Sequence, residues 1–339
     1  MDGISLTKLA KKWEAERRPS GRSVAAMGRV IARFEAMVGK ISAPGITKAH
    51  GVQFKDKLLE SGQTAVNTNK QFDVFNALLN YGVGNGDLDM NPIRGIRVAV
   101  KRKAKDARHP FDLPALQAIF SSSVYSDKKG VPEHIGFEAA YWIPLLGLFY
   151  GARREELCQL RPEDVYEEVY RGANDKDARC WVLRITDGGD DQGVKNANSV
   201  RRVPLHSALL ELGFVEFAKA QRGKARLFWR LKPDEHGDEG AAFGKWFSKH
   251  LRQECGVANR KMVFHSFRHS FKDYCREAEI LEEVSDALSG HSNGKESRRY
   301  GGVSYPLRPL VEAMQKYKVP GLRLPSHEKR DLKPNRPTS

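Results

Sequence analysis

Three residue types that can move a phosphoryl group recur at fixed spacing between positions 265 and 300. His265-Ser-Phe-Arg268-His269 comes first, then Leu288-Ser-Gly290-His291, then Arg298-Arg299-Tyr300. His265 and Arg268 are three apart and share one face of a helix. Arg268 to His291 spans twenty-three positions, and His291 to Tyr300 nine. Phosphoryl transfer to a tyrosine hydroxyl needs a cation, a proton shuttle and a nucleophile; arginine, histidine and tyrosine supply them.

Attack on a phosphodiester asks for more. Its charge must be neutralised, and paired guanidiniums do this with bidentate hydrogen bonds while keeping their own charge. Arg268 is one such group. Arg153, in Gly151-Ala-Arg153-Arg154-Glu155-Glu156-Leu157 beside an apolar segment, is placed to be a second. The departing oxygen needs a proton, which Lys195, on a loop between two strands, could deliver; Arg201 and Arg202 lie nearby. His265 and His269 are four apart, as zinc ligands on a helix can be. The glutamate of His-Glu-x-x-His is missing, however, so no metal is expected.

These groups need elements to hold them. In the first 98 residues the periodicity predicts four amphipathic helices. The first covers 5–18, capped by Ser5. The second carries Val24, Met27, Ile31, Phe34 and Val38 and closes at Gly39. The third covers 48–60. The fourth starts near Thr64, carries Phe72, Phe75, Leu79 and Val83, and stops at the Gly84-Asn-Gly86 and Asn91-Pro92 signals. Residues 99–108 hold five basic side chains, Lys101, Arg102, Lys103, Lys105 and Arg108, against one acid. This reads as an extended basic linker, suited to lie across phosphates. A second domain is expected over 109–318, with helices at 113–120, 137–150 and from Gly151 to near Arg161-Pro162. Between Val165 and Leu205 the pattern changes to strands, at Cys180–Thr186 and Val200–Leu205, then to helix at 241–254 and through the His265 region. Pro204 marks a strand end or an edge. Leu310, Val311 and Met314 share a stripe of a helix over 307–317. Residues 319–339 form a basic, proline-rich tail, its last dozen residues expected to be disordered. The fold class is therefore mainly α with a small β-sheet (α+β).

With 339 residues the chain can bury two cores, and its formal charge of +15 points to a polyanion, nucleic acid before a membrane surface. Cys158, Cys180, Cys255 and Cys275 are scattered without metal-ligand spacing and read as reduced, mostly buried thiols. The longest apolar run, Ala139 to Phe149, is too short to span a bilayer and contains Pro144. The N-terminal residues lack the basic and apolar regions of a signal peptide. A cytoplasmic protein without membrane partners is expected.

In order, Gly-x-Arg-x-x-Glu-Leu, a hairpin lysine before Arg-x-Val-Pro-Leu, His-x-x-Arg-His, Gly-His and a tyrosine nine residues on resemble the tyrosine recombinases (phage integrases). The resemblance covers nearly the whole chain. It implies a helical, SAM-like core-binding domain (1–98) and a catalytic domain (109–318) closing as a C-shaped clamp on DNA. It assigns Arg153 and Arg268 to the scissile phosphate, Lys195 to the leaving 5′ oxygen, His265 to proton exchange with the nucleophile, and His291 to a hydrogen bond on the phosphate. Tyr300 would attack, and Glu156 would hold the site's structure. No cofactor, metal or ATP is implied, because the phosphotyrosyl bond stores the energy of the broken one. The implied partners are double-stranded attachment sites, three further copies of the chain on DNA (with a monomer or weak oligomer when free), and directionality and DNA-bending factors. The implied activity is site-specific recombination through a Holliday junction, serving a prophage or other mobile element. The 307–317 helix is either exchanged between neighbours or folded on its own core. Two departures, Asn196 where threonine is frequent and Ser289-Gly-His where the family usually reads Leu-Gly-His, touch no proposed catalytic group. The core-binding domain and motif order argue against a type IB-like topoisomerase, and the long tail after Tyr300 disfavours a chromosome-dimer resolvase. A DNA-binding accessory protein without catalysis would be expected to lack an arginine or the tyrosine, and all are present.

Overall fold

The computed structural model describes residues 3–100, 109–127, 129–173, 175–189, 192–193, 199–291 and 305–325. Lys101, Arg102, Lys103, Lys105, Lys195, Arg298, Arg299, Tyr300 and the tail from 326 onward lie outside them. The chain divides into two compact units, Met1–Asp106 with Glu235–Gly237, and Ala107–Asp234 with Asp238–Ser339.

The first unit is built from α1 (Leu6–Arg17), α2 (Gly21–Val38), α3 (Lys48–Glu60) and α4 (Ala65–Gly84). Each begins at a hydroxyl that accepts a backbone N–H of the first turn: Ser5 from Lys8, Ser20 from Ser23, Thr47 from His50 and Thr64 from Asn67. Gly39, at φ 117°, closes α2 where the sequence predicts. The apolar stripes meet in an aromatic core: the Phe34 ring lies 5.4 Å from Phe54 and 4.9 Å from Phe75, and Phe72 packs on Phe54. Beyond α4 the chain is strapped back along it by amides. Asn91 donates to Asn76 and Asn80, and the Asn69 side chain pairs with both the N–H and the C=O of Val98. Asn91-Pro92 is therefore more than a helix stop; it fixes the exit direction of the chain.

The second unit surrounds α7 (Phe137–Tyr150), in which every residue from Ala139 to Tyr150 is buried. That is why its sequence is apolar all round rather than on one face. It is preceded by α5 (Leu113–Phe120) and the short α6 (Ser123–Ser126), and followed by α8 (Arg154–Cys158). The expected helix to Arg161-Pro162 stops early, at Cys158, and Pro162–Asp164 forms a separate 3-10 turn. The sheet is an antiparallel meander of β1 (Val165–Arg171), β2 (Asp177–Ile185) and β3 (Arg201–Pro204). Val165 faces Leu183, and Ile185 faces Arg201. β1 begins at Val165, where the sequence pattern changes to strands, though no separate strand is delimited there from sequence. Only Val165 of its seven residues is buried, so it lacks the apolar alternation that announces a strand. β3 ends at Pro204 on the sheet's edge, where a missing N–H is tolerated.

Two short helices that periodicity missed, α9 (Ser207–Glu211) and α10 (Phe214–Ala220), lead on to α11 (Gly240–Gln253). Then come α12 (Ser266–Glu277), α13 (Glu282–Ser289) and α14 (Leu307–Lys316). α14 takes the second of its two expected arrangements. Leu307, Leu310, Val311, Ala313 and Met314 are buried within this chain, against α13, β3 and β1. Tyr317 anchors its end, fully buried, with its hydroxyl donating to Leu148 O at 2.8 Å. The architecture is mainly helical with one small sheet, as the sequence predicts. The four cysteines are free thiols, three of them buried. Among the described residues, no helix is long and apolar enough to cross a membrane.

The Phe34 ring is wholly buried and touches two other rings. Phe34→Ala is expected to cost about 3–5 kcal/mol in urea unfolding. A loss below about 1 kcal/mol would mean that this aromatic cluster does not organise the first unit.

Candidate active site

Four of the sequence-predicted residues, Arg153, Glu156, Arg268 and His291, meet where α7, α8, β3, α12 and α13 converge. The Gly-x-Arg-x-x-Glu motif is a helix stop followed by a helix start. Gly151 ends α7 in the left-handed region, at φ 55°. Two residues later Arg153, extended at φ −72° and ψ 145°, caps α8. Glu156 reaches back from the third position of that helix. Its Oε2 accepts the Arg153 backbone N–H at 3.0 Å, and its Oε1 accepts the Arg153 guanidinium at 2.5 Å. One carboxylate thus fixes both the backbone and the side chain of Arg153.

A residue not assigned from sequence completes this corner. Arg201, on β3, donates to Glu156 Oε2 at 2.9 Å, to Ser199 O at 2.7 Å and to Leu288 O at 2.9 Å. Ser199 in turn accepts Arg153 Nη1 on its hydroxyl at 2.8 Å. The Arg201 and Glu156 side chains are only 6% and 3% exposed, whereas Arg153 keeps 25%. Arg153 can therefore meet a ligand, and Arg201 serves from behind. A signal for Arg201 was present in the sequence. Alternation along β3 puts it on the face of the buried Val203, and a charge on a buried face demands a partner.

Arg268 stands one turn into α12, its guanidinium buried. It donates through Nη1 to Gly151 O at 2.9 Å and to Ser289 O, which ties α12 to the ends of α7 and α13. Its Nη2 lies 3.2 Å from His291 Nδ1. A guanidinium only donates, so in this contact Nδ1 accepts, and a neutral His291 carries its proton on Nε2. His291 is exposed and follows Gly290, which ends α13 at φ 65°. A Cβ on Gly290 would come 2.4 Å from Arg201 Nη1. The glycine of Gly-His thus meets two demands, a left-handed turn and the close approach of a guanidinium. Behind it, Lys272 pairs with buried Asp286 at 2.5 Å, and Asp286 O accepts the His291 N–H at 3.0 Å.

The remaining predicted residues are placed less fully. His265 is half-buried at the start of α12, its carbonyl accepting the Arg268 N–H at 3.1 Å. Its ring stands edge-on to His269 at 5.3 Å. Lys195 lies outside the described residues, but both flanks of its loop attach to the α8 region. The Gln159 side chain pairs with Gly193 N and O at 2.9 and 2.7 Å, and Ser199 holds Arg153. Tyr300 also lies outside. The described chain resumes at Tyr305, whose hydroxyl donates to Glu283 at 3.2 Å. Among the described residues, no group of three or more His, Cys, Asp or Glu could hold a metal ion.

Electrostatically the site is a cationic floor over two buried acids, Glu156 and, behind His291, Asp286. Burial alone would raise the Glu156 pKa, but the charge of Arg201 and hydrogen bonds from Arg153 and Arg201 outweigh it and leave it lowered. Burial lowers Arg268 to about 10, helped by the like charges of Arg153 and Arg201, so it stays protonated at neutral pH. Burial, then the Arg268 charge, also lowers His291 and favours its neutral form. The result is two guanidiniums and an Nε2–H donor with too little negative charge around them. Such a floor suits a tetrahedral oxyanion.

The whole chain matches the fold of solved integrases. A lambda integrase dimer bound to a COC′ core site matches at a TM-score of 0.58 and 14% identity, over 96% of this chain and 100% of that one. A lambda integrase tetramer bound to a Holliday junction matches at 0.59 and 14%, over 89% and 78%. The Tn1549 transposon integrase in complex with transposon right end DNA matches at 0.56 and 14%, over 93% and 95%. At this identity the likeness establishes the fold: the chain has the fold of the tyrosine recombinase integrases. No protein-family model and no curated protein sequence matches it significantly.

Two outcomes test the site's construction. Glu156 titrates below the ordinary carboxylate range near 4.5, so its contribution to stability is present above that pH and lost as pH falls through its folded value. In urea unfolding between pH 3 and 7, Glu156→Gln should be less stable at neutral pH and show a shallower loss towards acid. An unchanged acid slope would mean that Glu156 is not the linked group. Gly290→Ala should lower stability by about 1–2 kcal/mol from its left-handed backbone alone. Thermal unfolding within 1 °C of wild type would show that the turn relaxes freely.

Proposed function

We propose that this chain is a site-specific DNA recombinase of the tyrosine type, cutting and rejoining strands through a 3′-phosphotyrosyl intermediate. The observation that carries the reading is the convergence of Arg153, Arg268 and His291 on one cationic floor, within an integrase fold. A formal charge of +15 supports a DNA partner.

Arg153 and Arg268 grip the non-bridging oxygens of the scissile phosphate, and His291 donates to it from Nε2. The Tyr300 hydroxyl attacks phosphorus; His265 takes its proton. The P–O bond to the 5′ carbon's oxygen breaks, and Lys195 protonates that oxygen as it leaves. The reverse attack by a 5′ hydroxyl, from the same or a partner strand, releases Tyr300 and reseals the backbone. The phosphate bond count is conserved throughout, so the reaction needs neither ATP nor an external energy source. Glu156 acts only by holding Arg153.

Around this chemistry, residues 1–98 and 109–318 both bind the duplex, and Lys101, Arg102, Lys103 and Lys105 pair with its phosphates. Four copies act on two sites through a Holliday junction, with directionality and bending factors as partners and a prophage or other mobile element as the setting. The cytoplasm is the compartment where such DNA lies.

The test is a covalent trap. Full-length protein is incubated without metal with nicked duplexes drawn from a genomic fragment pool, and products are run on a denaturing gel. Wild type should yield a protein–DNA adduct that Tyr300→Phe reduces at least ~10³-fold, as expected for loss of a nucleophile. An adduct persisting in Tyr300→Phe would remove Tyr300 as nucleophile. Tight binding with no adduct from any fragment would replace the recombinase reading with that of a DNA-binding protein without catalysis.

A further inference from the structure

We propose that Arg201 is a positioning residue of this site, setting the separation between the Arg153 clamp and the Arg268–His291 pair. The inference rests on the recombinase reading above and adds to it a group that never touches the substrate.

The argument is one of connectivity. Arg153 and Glu156 belong to the α7–α8 turn, whereas His291 belongs to the α13 turn. These segments are far apart in sequence, and a phosphate gripped by both would demand a fixed distance between them. Arg201 spans the gap with three donors. Nη2 holds the Glu156 carboxylate, Nε holds Leu288 O near the end of α13, and Nη1 holds Ser199 O. Each contact leads on to a ligand-facing group in one step. Glu156 holds the Arg153 guanidinium, Ser199 Oγ accepts that same guanidinium, and Leu288 lies three residues before His291. The planar fork makes these contacts from one rigid group, which a single ammonium cannot reproduce with the same reach.

The local backbone is fitted to this guanidinium. Gly290 leaves room for Nη1 where any Cβ would collide, and β3 aims Arg201 inward beside the buried Val203. The side chain is too enclosed to meet a ligand itself. Its effect must therefore pass through Arg153 and His291.

The experiment compares wild type, Arg201→Lys and Arg201→Met as full chains, on a nicked duplex that gives the wild-type adduct. Three quantities are read: the Kd for that duplex, the single-turnover adduct rate at saturating protein, and the thermal midpoint. Arg201→Lys keeps a cation beside Glu156 and guards against simple unfolding. The expected result is a rate at least tenfold lower for Arg201→Lys and lower still for Arg201→Met, with Kd within about threefold and the Arg201→Lys midpoint within a few degrees. Wild-type rates in Arg201→Lys would overturn the positioning role and leave the recombinase reading intact. A rate that falls only in step with Kd and midpoint would also overturn it, making Arg201 a core residue. If wild type itself forms no adduct on any fragment, the recombinase reading fails and this inference fails with it.

Discussion

The second unit depends on one buried carboxylate. Glu156 is almost fully enclosed and carries a negative charge among Arg153, Arg201 and, further off, Arg268. Burying such an ion is costly, and only near-ideal hydrogen bonding repays it. Here its two oxygens accept from a backbone N–H and two guanidiniums. Removing one partner from a buried pair of this kind costs about 3–5 kcal/mol, because the survivor stays unpaired. A hydrophobic core at the same place would be no less stable. What the ionic arrangement adds is direction: it holds a partly exposed guanidinium in a fixed orientation that apolar packing could not impose.

That constraint explains otherwise unrelated details. α8 is only five residues long, yet its first turn carries the site. Its capping geometry lets Glu156 hold the backbone of Arg153 as well as its side chain, so a short helix suffices. α13 must end at glycine because the Arg201 guanidinium passes beneath it. β3 needs only four residues, since its task is to deliver Arg201 and then stop at Pro204. Arg268 closes the frame from α12 by donating to the carbonyls that end α7 and α13. Carbonyls at helix C-termini carry partial negative charge, which compensates a cation that has been taken out of water.

The sequence was most legible where periodicity or spacing is strong. The four helices of the first unit follow their apolar stripes and hydroxyl caps, and α7 follows its length and uniform apolarity. The spacing of Arg268 and His291 drew attention to two groups that the fold does bring into contact. Less legible were elements whose stability comes from neighbours. β1 buries only Val165 and is held by pairing to β2. α9 and α10 are too short to display a period. Arg201 went unassigned because a charged residue in a strand ordinarily faces solvent. Its buried side was visible only by counting two residues to Val203, and its partners are distant in sequence.

Arginines bound to carbonyls look already satisfied, but their surplus charge is what an oxyanion would meet. The carbonyls holding Arg268 supply acceptors without full negative charge, and Glu156 supplies one full charge among Arg153, Arg201 and Arg268. Burial first, and the like charges of Arg153 and Arg201 second, lower the Arg268 pKa to about 10, so its charge is held there at a cost. A dianionic transition state of the proposed reaction, entering beside Arg153 and His291, would relieve that cost by completing the electrostatic balance. Solvent would have to reorganise to do the same, whereas this frame is already in place. Rigidity in the frame is therefore the property on which stabilisation of such an oxyanion would depend, and it comes from the buried ion pair rather than from the groups exposed to a ligand.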